Sequence, residues 1–178
     1  MNTLKPIITM FIICCFSLAF SGEPIKNSKK IIGIYENIML IPDNTVLPAK
    51  LDTGADMSSI HGENVEVFEK DGKKYVRFLF VWDKNGLEEK LKLEKPLVKY
   101  IKIKRKGDLP PDRRPVINLE FCLDGVKYKS EFSIADRDNF KYPLLLGRRF
   151  LRKHFIIDPD KDYITNVNAC DKYLKDEN

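Results

Sequence analysis

The chain has 178 residues, of which 43% are hydrophobic and 32% are charged, with a formal net charge of +5. This length suits one domain with a substantial core and leaves little room for a second. Basic and acidic residues alternate along most of the chain, so the charge gives no indication of nucleic-acid binding. One basic run, residues 99–106, predicts an edge strand with a charged outer face. The same run could instead attract acidic peptide substrates, and the sequence leaves both interpretations open.

The N-terminus has the pattern of a secretory signal peptide. A lysine precedes an apolar run over residues 6–20, which is short for a bilayer span, and Ala19 and Ser21 are the small residues that a signal peptidase reads. We predict a signal peptide over residues 1–21, cleaved before Gly22, with an uncleaved membrane anchor as the alternative. Its removal takes away one lysine and no acid, which leaves a net charge of +4. A periplasmic or secreted protein without stable membrane insertion is expected.

Apolar and polar residues alternate at period two over most of the remaining chain, which is typical of half-buried β-strands. Asp-Gly and Asn-Gly pairs between these segments predict tight hairpin turns. Strands are predicted over residues 31–40, 47–52, 64–68, 74–82, 86–93, 97–106, 116–123, 126–135, 144–146, 155–159 and 163–165, the last two as a hairpin, with a loop over 107–115 and one short helix over 149–154. This spacing predicts an all-β barrel or sandwich. The domain is predicted to cover residues 31–168, between a flexible lead-in over 22–30 and a C-terminal tail over 169–178.

Two cysteines, Cys122 and Cys170, remain after removal of the signal peptide. In an oxidising compartment they could join the C-terminal tail to a strand. Spacing alone does not establish the geometry that a disulfide requires, so the sequence leaves the pairing open.

The strand over residues 47–52 ends at Asp52, and Thr53 and Gly54 follow it. A carboxylate at a strand end, with a glycine two residues on, lies where the backbone can turn sharply and a ligand can come close. An Asx-type turn that closes a hairpin would explain the same residues. Far downstream, the chain carries the sequence LLGR over residues 145–148, and this second motif favours a functional role.

The sequence DTGAD over residues 52–56 and the LLGR segment together resemble the two fixed motifs of retropepsins, the single-domain aspartic proteases. The wider pattern is similar to a bacterial group labelled ATP-dependent zinc proteases, also described as retropepsin-like and associated with ribosomal-protein modification. The matching segments span nearly the whole mature chain and are IG at 32–33, AKLDTGA at 49–55, Ser59, RPV at 114–116, ADRDN at 135–139, LLLGR at 144–148 and FIIDP at 155–159.

The resemblance implies a single-domain, retropepsin-like closed β-barrel with one short C-terminal helix. Peptide hydrolysis without a metal or a covalent nucleophile needs one group to activate water and another to protonate the leaving group. Two carboxylates about 3 Å apart share one proton and can perform both tasks. Because the chain carries one Asp-Thr-Gly motif, the resemblance implies a homodimer in which Asp52 of each subunit meets its copy on a two-fold axis.

The resemblance also implies individual roles, with Asp52, Thr53 and Gly54 as catalytic positions and Ala55, Asp56 and Arg148 as substrate-binding positions. Thr53 would join the two active-site loops through its hydroxyl, and Gly54 would let the substrate backbone approach. Asp56 would contact the substrate main chain and could pair with Arg148. No cofactor is implied. The expected activity is that of an exported aspartic endopeptidase with an acidic pH optimum, and the expected partners are a peptide or protein substrate and a second copy of the chain.

The zinc label has little support in the residues. The two histidines, His61 and His154, lack the spacing of a zinc-protease motif, and no phosphate-binding loop is present to support ATP dependence. No metal site is therefore predicted, and His61 could line the cleft or be an ordinary satisfied histidine. The flap over the substrate could be the Asn85-Gly86 hairpin or the loop over residues 107–115. A catalytically silent peptide-binding module and a metal-dependent hydrolase stay open as other functions.

Overall fold

The computed structural model describes residues 29–104, 107 and 110–174. The predicted signal peptide, most of the predicted lead-in and the last four residues of the chain lie outside this part. Within it, no helix has the length and apolar character of a membrane span.

Strands make up most of the described chain. They are β1 (Lys30–Ile41), β2 (Thr45–Asp52), β3 (Ser58–His61), β4 (Glu63–Lys70), β5 (Lys73–Lys84), β6 (Leu87–Pro96), β7 (Lys99–Ile103), β8 (Asp112–Leu123), β9 (Val126–Ala135), β10 (Leu144–Gly147) and β11 (Phe155–Asp162). Two short helices complete the described part, α1 (Arg148–His154) and a 3-10 helix (Val167–Tyr173).

Six of the strands close into a barrel. The larger sheet has the order β11-β1-β2-β10-β3-β9-β8-β7, and an additional pairing joins β1 to β8. This pairing closes the ring from β1 round to β8 and leaves β11 and β7 outside it. The predicted all-β closed barrel with a short C-terminal helix is therefore confirmed. The basic strand β7 lies at an edge of the sheet, as its sequence predicts.

Alternation along β2 decides which side chains fill the barrel. Leu47, Ala49 and Leu51 are each at most 2% exposed, and burial of each of the two leucines contributes about 1.5–3 kcal/mol. Successive side chains of a strand point to opposite faces, so Lys50 and Asp52 lie on the other face of β2. Burial of one face of β2 in the core therefore places Lys50 and Asp52 on the opposite face, away from the core.

Several local predictions differ from the structure. The sequence does not predict β3, because its four residues are all buried and too few to display a period. The predicted hairpin at the end of the domain is wrong, since β11 is one strand that pairs in parallel with the distant β1. The predicted loop over residues 107–115 ends earlier, because β8 already begins at Asp112 and pairs with β7. The 3-10 helix crosses the predicted boundary between the domain and the C-terminal tail, and it is a second helix beyond the one predicted.

The disulfide that the sequence leaves open is formed. Cys122 of β8 and Cys170 of the 3-10 helix are bonded, with 5.8 Å between their Cα atoms and a sequence separation of 48. Both cysteines are fully buried, and they pack with Met39 of β1. The bond therefore fixes the C-terminal part of the described chain to the barrel.

Candidate active site

Asp52 is the last residue of β2, and the strands around it bring the two sequence motifs together. β10 runs parallel to β2 with Gly147 opposite Asp52, and β10 also pairs antiparallel with β3. Parallel neighbours end at the same edge of a sheet, so the loop after Asp52 and the residues after Gly147 project side by side. The backbone N–H of Arg148 donates to the carbonyl of Ala55 at 2.8 Å, which joins the two motifs directly.

Backbone groups of its own loop hold the Asp52 carboxylate. Its Oδ1 accepts hydrogen bonds from the backbone N–H groups of Gly54 at 3.0 Å and Ala55 at 3.3 Å. Its Oδ2 lies 3.3 Å from the Nζ of Lys50, and the Asp52 side chain is 27% exposed. The Asx-type turn is therefore present locally, and it presents an accessible carboxylate rather than a buried one. Thr53 and Gly54 are exposed at the tip of the loop.

Two opposing effects set the pKa of Asp52. Partial burial acts to raise this pKa, but the hydrogen bond and charge of Lys50 and the N–H groups of Gly54 and Ala55 outweigh it, so the pKa lies below its usual value. Because the pKa of Asp52 is lower in the folded protein than in the unfolded chain, where it is about 4, these contacts stabilise the fold at pH values above about 4. The stabilisation is lost as the pH falls through the pKa of the folded protein.

Replacing Lys50 by Met is expected to raise the pKa of Asp52, because the substitution removes the ammonium beside Oδ2 and keeps a side chain of similar length. An NMR titration of the Asp52 carboxyl carbon measures this directly. Lys161→Met is the matched control, since Lys161 pairs with Asp158 at 3.1 Å. It should leave the pKa of Asp52 unchanged. Equal Asp52 titrations in wild type and Lys50→Met would contradict the assignment of this ion pair.

Asp56 lies between Arg148 of the second motif and the arginine that follows it, Arg149. Arg149 places its Nη2 2.7 Å from Oδ2, and Arg148 places its Nη2 3.3 Å from Oδ1. The hydrogen bond from Arg149 is the main cause that holds the pKa of Asp56 below its usual value. Arg148 also donates through Nη1 to the Thr53 carbonyl at 3.2 Å. The expected pairing of Asp56 with Arg148 is therefore present, and Arg149 is a second partner that the sequence does not indicate.

A cleft of about 540 Å³ lies beside this loop. Its walls come from the loop after Asp52, from β7, from the barrel strands β3, β8, β9 and β10, from the segment after β9 and from α1. The residues are Ala55, Asp56, Met57, Ser59, Ile101, Lys102, Ile103, Arg114, Ser133, Arg137, Leu145 and Arg149. Four of these residues carry a positive charge and one carries a negative charge. The lining of the cleft therefore carries an excess of positive charge.

The two flap candidates lie in different places. The Asn85-Gly86 turn joins β5 to β6 in a separate three-stranded sheet with β4, and Asn85 lines a different cavity with Val46 and Tyr163. The β7–β8 hairpin borders the cleft instead, through residues 101–103 and Arg114. Of the two candidates, the β7–β8 hairpin is therefore the one with described residues in the lining of the cleft.

The histidines do not provide a metal centre. His61 is 4% exposed and lines a smaller cavity away from Asp52, so it is satisfied rather than part of the cleft. Its Nδ1 accepts the backbone N–H of Arg137 at 2.9 Å, and its Nε2 lies 3.2 Å from Asp138. A neutral imidazole that accepts through Nδ1 carries its proton on Nε2, which then donates to Asp138 and has no lone pair for a cation. Although His61, Asp136 and Asp138 cluster, this arrangement does not fit zinc.

The second histidine, His154, ends α1. Its ring packs against Tyr128 and Phe150, with ring centroids 4.9 Å apart in each pair. Burial holds its pKa below the usual value. These contacts make it part of an aromatic cluster that is continuous with the hydrophobic core.

A family model described as "Retropepsin-like aspartic endopeptidase RimB" matches residues 31–168, which include both motifs and all the strands from β2 to β11. The chain belongs to the RimB-like family. This confirms the family resemblance that the motifs indicate.

Other proteins share parts of this RimB-like sequence. A protein of Shewanella pealeana named "Probable alpha-L-glutamate ligase" is 29% identical over 117 residues, which is 66% of this chain and 25% of that protein. A Desulfotalea psychrophila protein of the same name is 29% identical over 134 residues, 74% of this chain and 28% of its own length. The chain thus spans about a quarter of the length of these curated relatives. A Legionella pneumophila structure described as of unknown function is 34% identical, with a TM-score of 0.67, over 78% of this chain and 100% of its own.

In this RimB-like chain, sequence reasoning missed three charged residues of the site. Lys50 and Arg137 lie inside matched segments, but neither is part of the aspartic-protease motif, and Arg149 follows the second motif directly. Lys50 could have been found, because residues two apart on a strand share a face and Asp52 ends that strand. Arg137 could not, because its position depends on the packing of β3 and β9.

Proposed function

We propose that this protein is an aspartic endopeptidase whose catalytic centre forms when the Asp52 loops of two copies meet. The observation that carries the proposal is the Asp52 carboxylate itself. It is fixed by two backbone N–H groups, is partly exposed and ends a strand beside a cleft. A single carboxylate cannot be base and acid in one step, so a second copy would supply the other.

The chemistry follows from a proton shared between the two carboxylates. The ionised Asp52 takes a proton from water, and the water oxygen bonds to the carbonyl carbon of the scissile peptide. The protonated Asp52 gives its proton to the carbonyl oxygen, so that a neutral tetrahedral diol forms. Transfer of a proton to the amide nitrogen then accompanies breakage of the C–N bond, and a new carboxyl and a new amine leave. Water is the only co-reactant.

The neighbouring residues have roles in this proposal. Thr53, exposed at the loop tip, would bond the partner's loop, and Gly54 would let the substrate main chain approach. Ala55 and Asp56 would bind that main chain, and Arg148 would keep Asp56 and the Thr53 carbonyl in place. Because Lys50 favours the ionised carboxylate, the shared proton is lost as the pH rises, and the expected optimum is acidic.

The proposed substrates are peptides or protein tails with acidic side chains. The excess of positive charge in the cleft supports this. The relatives named alpha-L-glutamate ligase support it as well, because they contain a segment similar to this chain alongside a function named for glutamate.

Export to an oxidising compartment is part of the proposal. The N-terminal lysine and apolar run support it, and so does the Cys122–Cys170 disulfide, because such bonds persist outside the reducing cytosol.

Cleavage of a diverse peptide mixture by the purified protein, followed by mass spectrometry from acidic to neutral pH, tests this function. We expect cuts with an acidic optimum that a chelator does not reduce. Peptide binding without cuts at any pH would instead support a silent binding module. Cuts that a chelator abolishes would support a metal-dependent hydrolase.

A further inference from the structure

Arg137 is a buried cation whose described contacts are all neutral. It is 7% exposed. Its Nη1 donates to Ser59 Oγ at 3.0 Å, its Nε donates to the Tyr142 carbonyl at 3.2 Å, and its guanidinium carbon lies 4.6 Å from the centre of the Phe140 ring. No carboxylate in the described part of the chain forms an ion pair with it. Burying an unpaired charge is unfavourable, so an arginine in this setting indicates a use for its charge.

Charged neighbours act on Arg137 without forming an ion pair with it in the described structure. Burial lowers its pKa, the charge of Asp52 raises it, and the charge of Arg114 lowers it further. The guanidinium nevertheless stays protonated at neutral pH, since arginine does not lose its proton in proteins. Arg114 has its own carboxylate in Asp112, at 2.6 Å, and Arg149 has Asp56. Among the arginines of the cleft, Arg137 is thus the one without a carboxylate partner in the described structure.

Arg137 lies where its charge could contact a peptide bound in the cleft. It lines the cleft together with Ala55, Asp56 and Ser59, which belong to the active-site loop and to β3 just after it. A guanidinium has five N–H donors in a planar fork, and the described contacts use Nε and one donor of Nη1. The remaining donors suit a carboxylate, which can accept two parallel hydrogen bonds.

We infer that Arg137 is a specificity-determining residue that binds the carboxylate of an acidic substrate side chain close to the scissile peptide bond. This inference rests on the proposed function for its link to cleavage. It adds to that function a named residue and a named group on the substrate. It also gives a reason for the buried position: in the cleft the fork is fixed by Ser59 and Tyr142 before a substrate arrives, so little conformational freedom is lost on binding.

The test uses pairs of peptides that differ by Glu or Gln at each position around an observed cut, with wild type, Arg137→Gln and Arg113→Gln. Arg113 is the matched control because it is an arginine of β8 that stacks on Tyr100 and lies outside the cleft. Wild type and Arg113→Gln should prefer Glu at one position by about 10- to 100-fold in kcat/KM. Arg137→Gln should lose this preference and still cut the Gln peptide. A Glu preference that survives in Arg137→Gln overturns the inference.

Calorimetric binding of the same peptides separates this inference from the proposed function. The glutamate peptide should bind about 10- to 100-fold more weakly to Arg137→Gln than to wild type and Arg113→Gln. Equal affinities overturn the inference. Wild type that binds the glutamate peptide through Arg137 and never cuts it overturns the proposed function instead. If Arg137→Gln does not fold, Arg137→Lys serves, because it keeps the charge and loses the fork. It should then show a weaker Glu preference, and an unchanged one overturns the inference.

Discussion

Replacing Asp52 by Asn is expected to lower the rate of peptide cleavage by about 10²- to 10⁴-fold, because the amide can neither take a proton from water nor return one to the substrate. The fold should survive. The Asn side chain keeps an oxygen for the N–H groups of Gly54 and Ala55, and it loses only the ion pair with Lys50, which is partly exposed and worth little. The measurements are kcat/KM at the pH optimum and a thermal unfolding curve.

Asp71→Asn is the control for this substitution. Asp71 lies in the turn between β4 and β5 with φ of 52°, a conformation that Asn also adopts readily. This variant makes the same chemical change away from the cleft, and it should cleave at the wild-type rate. Full activity in Asp52→Asn would contradict the assignment of Asp52 to the catalytic centre.

Replacing Gly147 by Ala is expected to destabilise the protein by about 3 kcal/mol and to abolish cleavage. A Cβ at this position would lie 2.6 Å from the carbonyl oxygen of Met57 and 2.8 Å from the backbone nitrogen of Ser58. Neither group can move aside, because Gly147 N–H also bonds Ser58 Oγ at 3.0 Å and β10 pairs with both β2 and β3. Relief of the contact would separate β10 from the loop that holds Asp52.

Gly86→Ala distinguishes this steric effect from the general cost of replacing a glycine. Gly86 has φ of 82° in a hairpin turn, with no atom within 4 Å of an added Cβ. Its substitution should cost only the strain of that backbone conformation, about 1 kcal/mol, and leave cleavage intact. Chemical denaturation of both variants measures the difference. Equal free energies of unfolding for Gly147→Ala and Gly86→Ala would show that the structure accommodates the added Cβ at Gly147 without a steric cost, which would contradict this prediction.

Local patterns predicted the strands and the tight turns because both are set by neighbouring residues. The Asn85-Gly86 and Asp124-Gly125 pairs, for example, all have positive φ values in the structure, as two-residue hairpin turns require. Local patterns did not predict the pairing of β11 with β1 or the closure of β1 on β8. They join segments far apart in the sequence, and alternation along a strand does not specify which partner it meets.

The same distinction applies to the site. Asp52 and the LLGR segment were found because each is a compact motif, and β2 and β10 place them side by side. Arg137 was not found, since an arginine after a strand is an ordinary surface residue until the packing of β3 and β9 buries it. The proposed meeting of two Asp52 loops would be a property of two chains, and one sequence indicates it only through the presence of a single Asp-Thr-Gly motif.

Mixing wild type with Asp52→Asn tests most directly whether two chains form one catalytic centre. The two proteins are unfolded together, refolded and assayed at a fixed amount of wild type, with substrate in excess over all protein. If the centre needs Asp52 from both subunits, about a ninefold excess of the variant should lower activity about tenfold, because nearly every wild-type chain then pairs with a variant chain. Activity that stays at the level of wild type refolded alone would show that one chain carries the whole centre, and would contradict the proposed dimer.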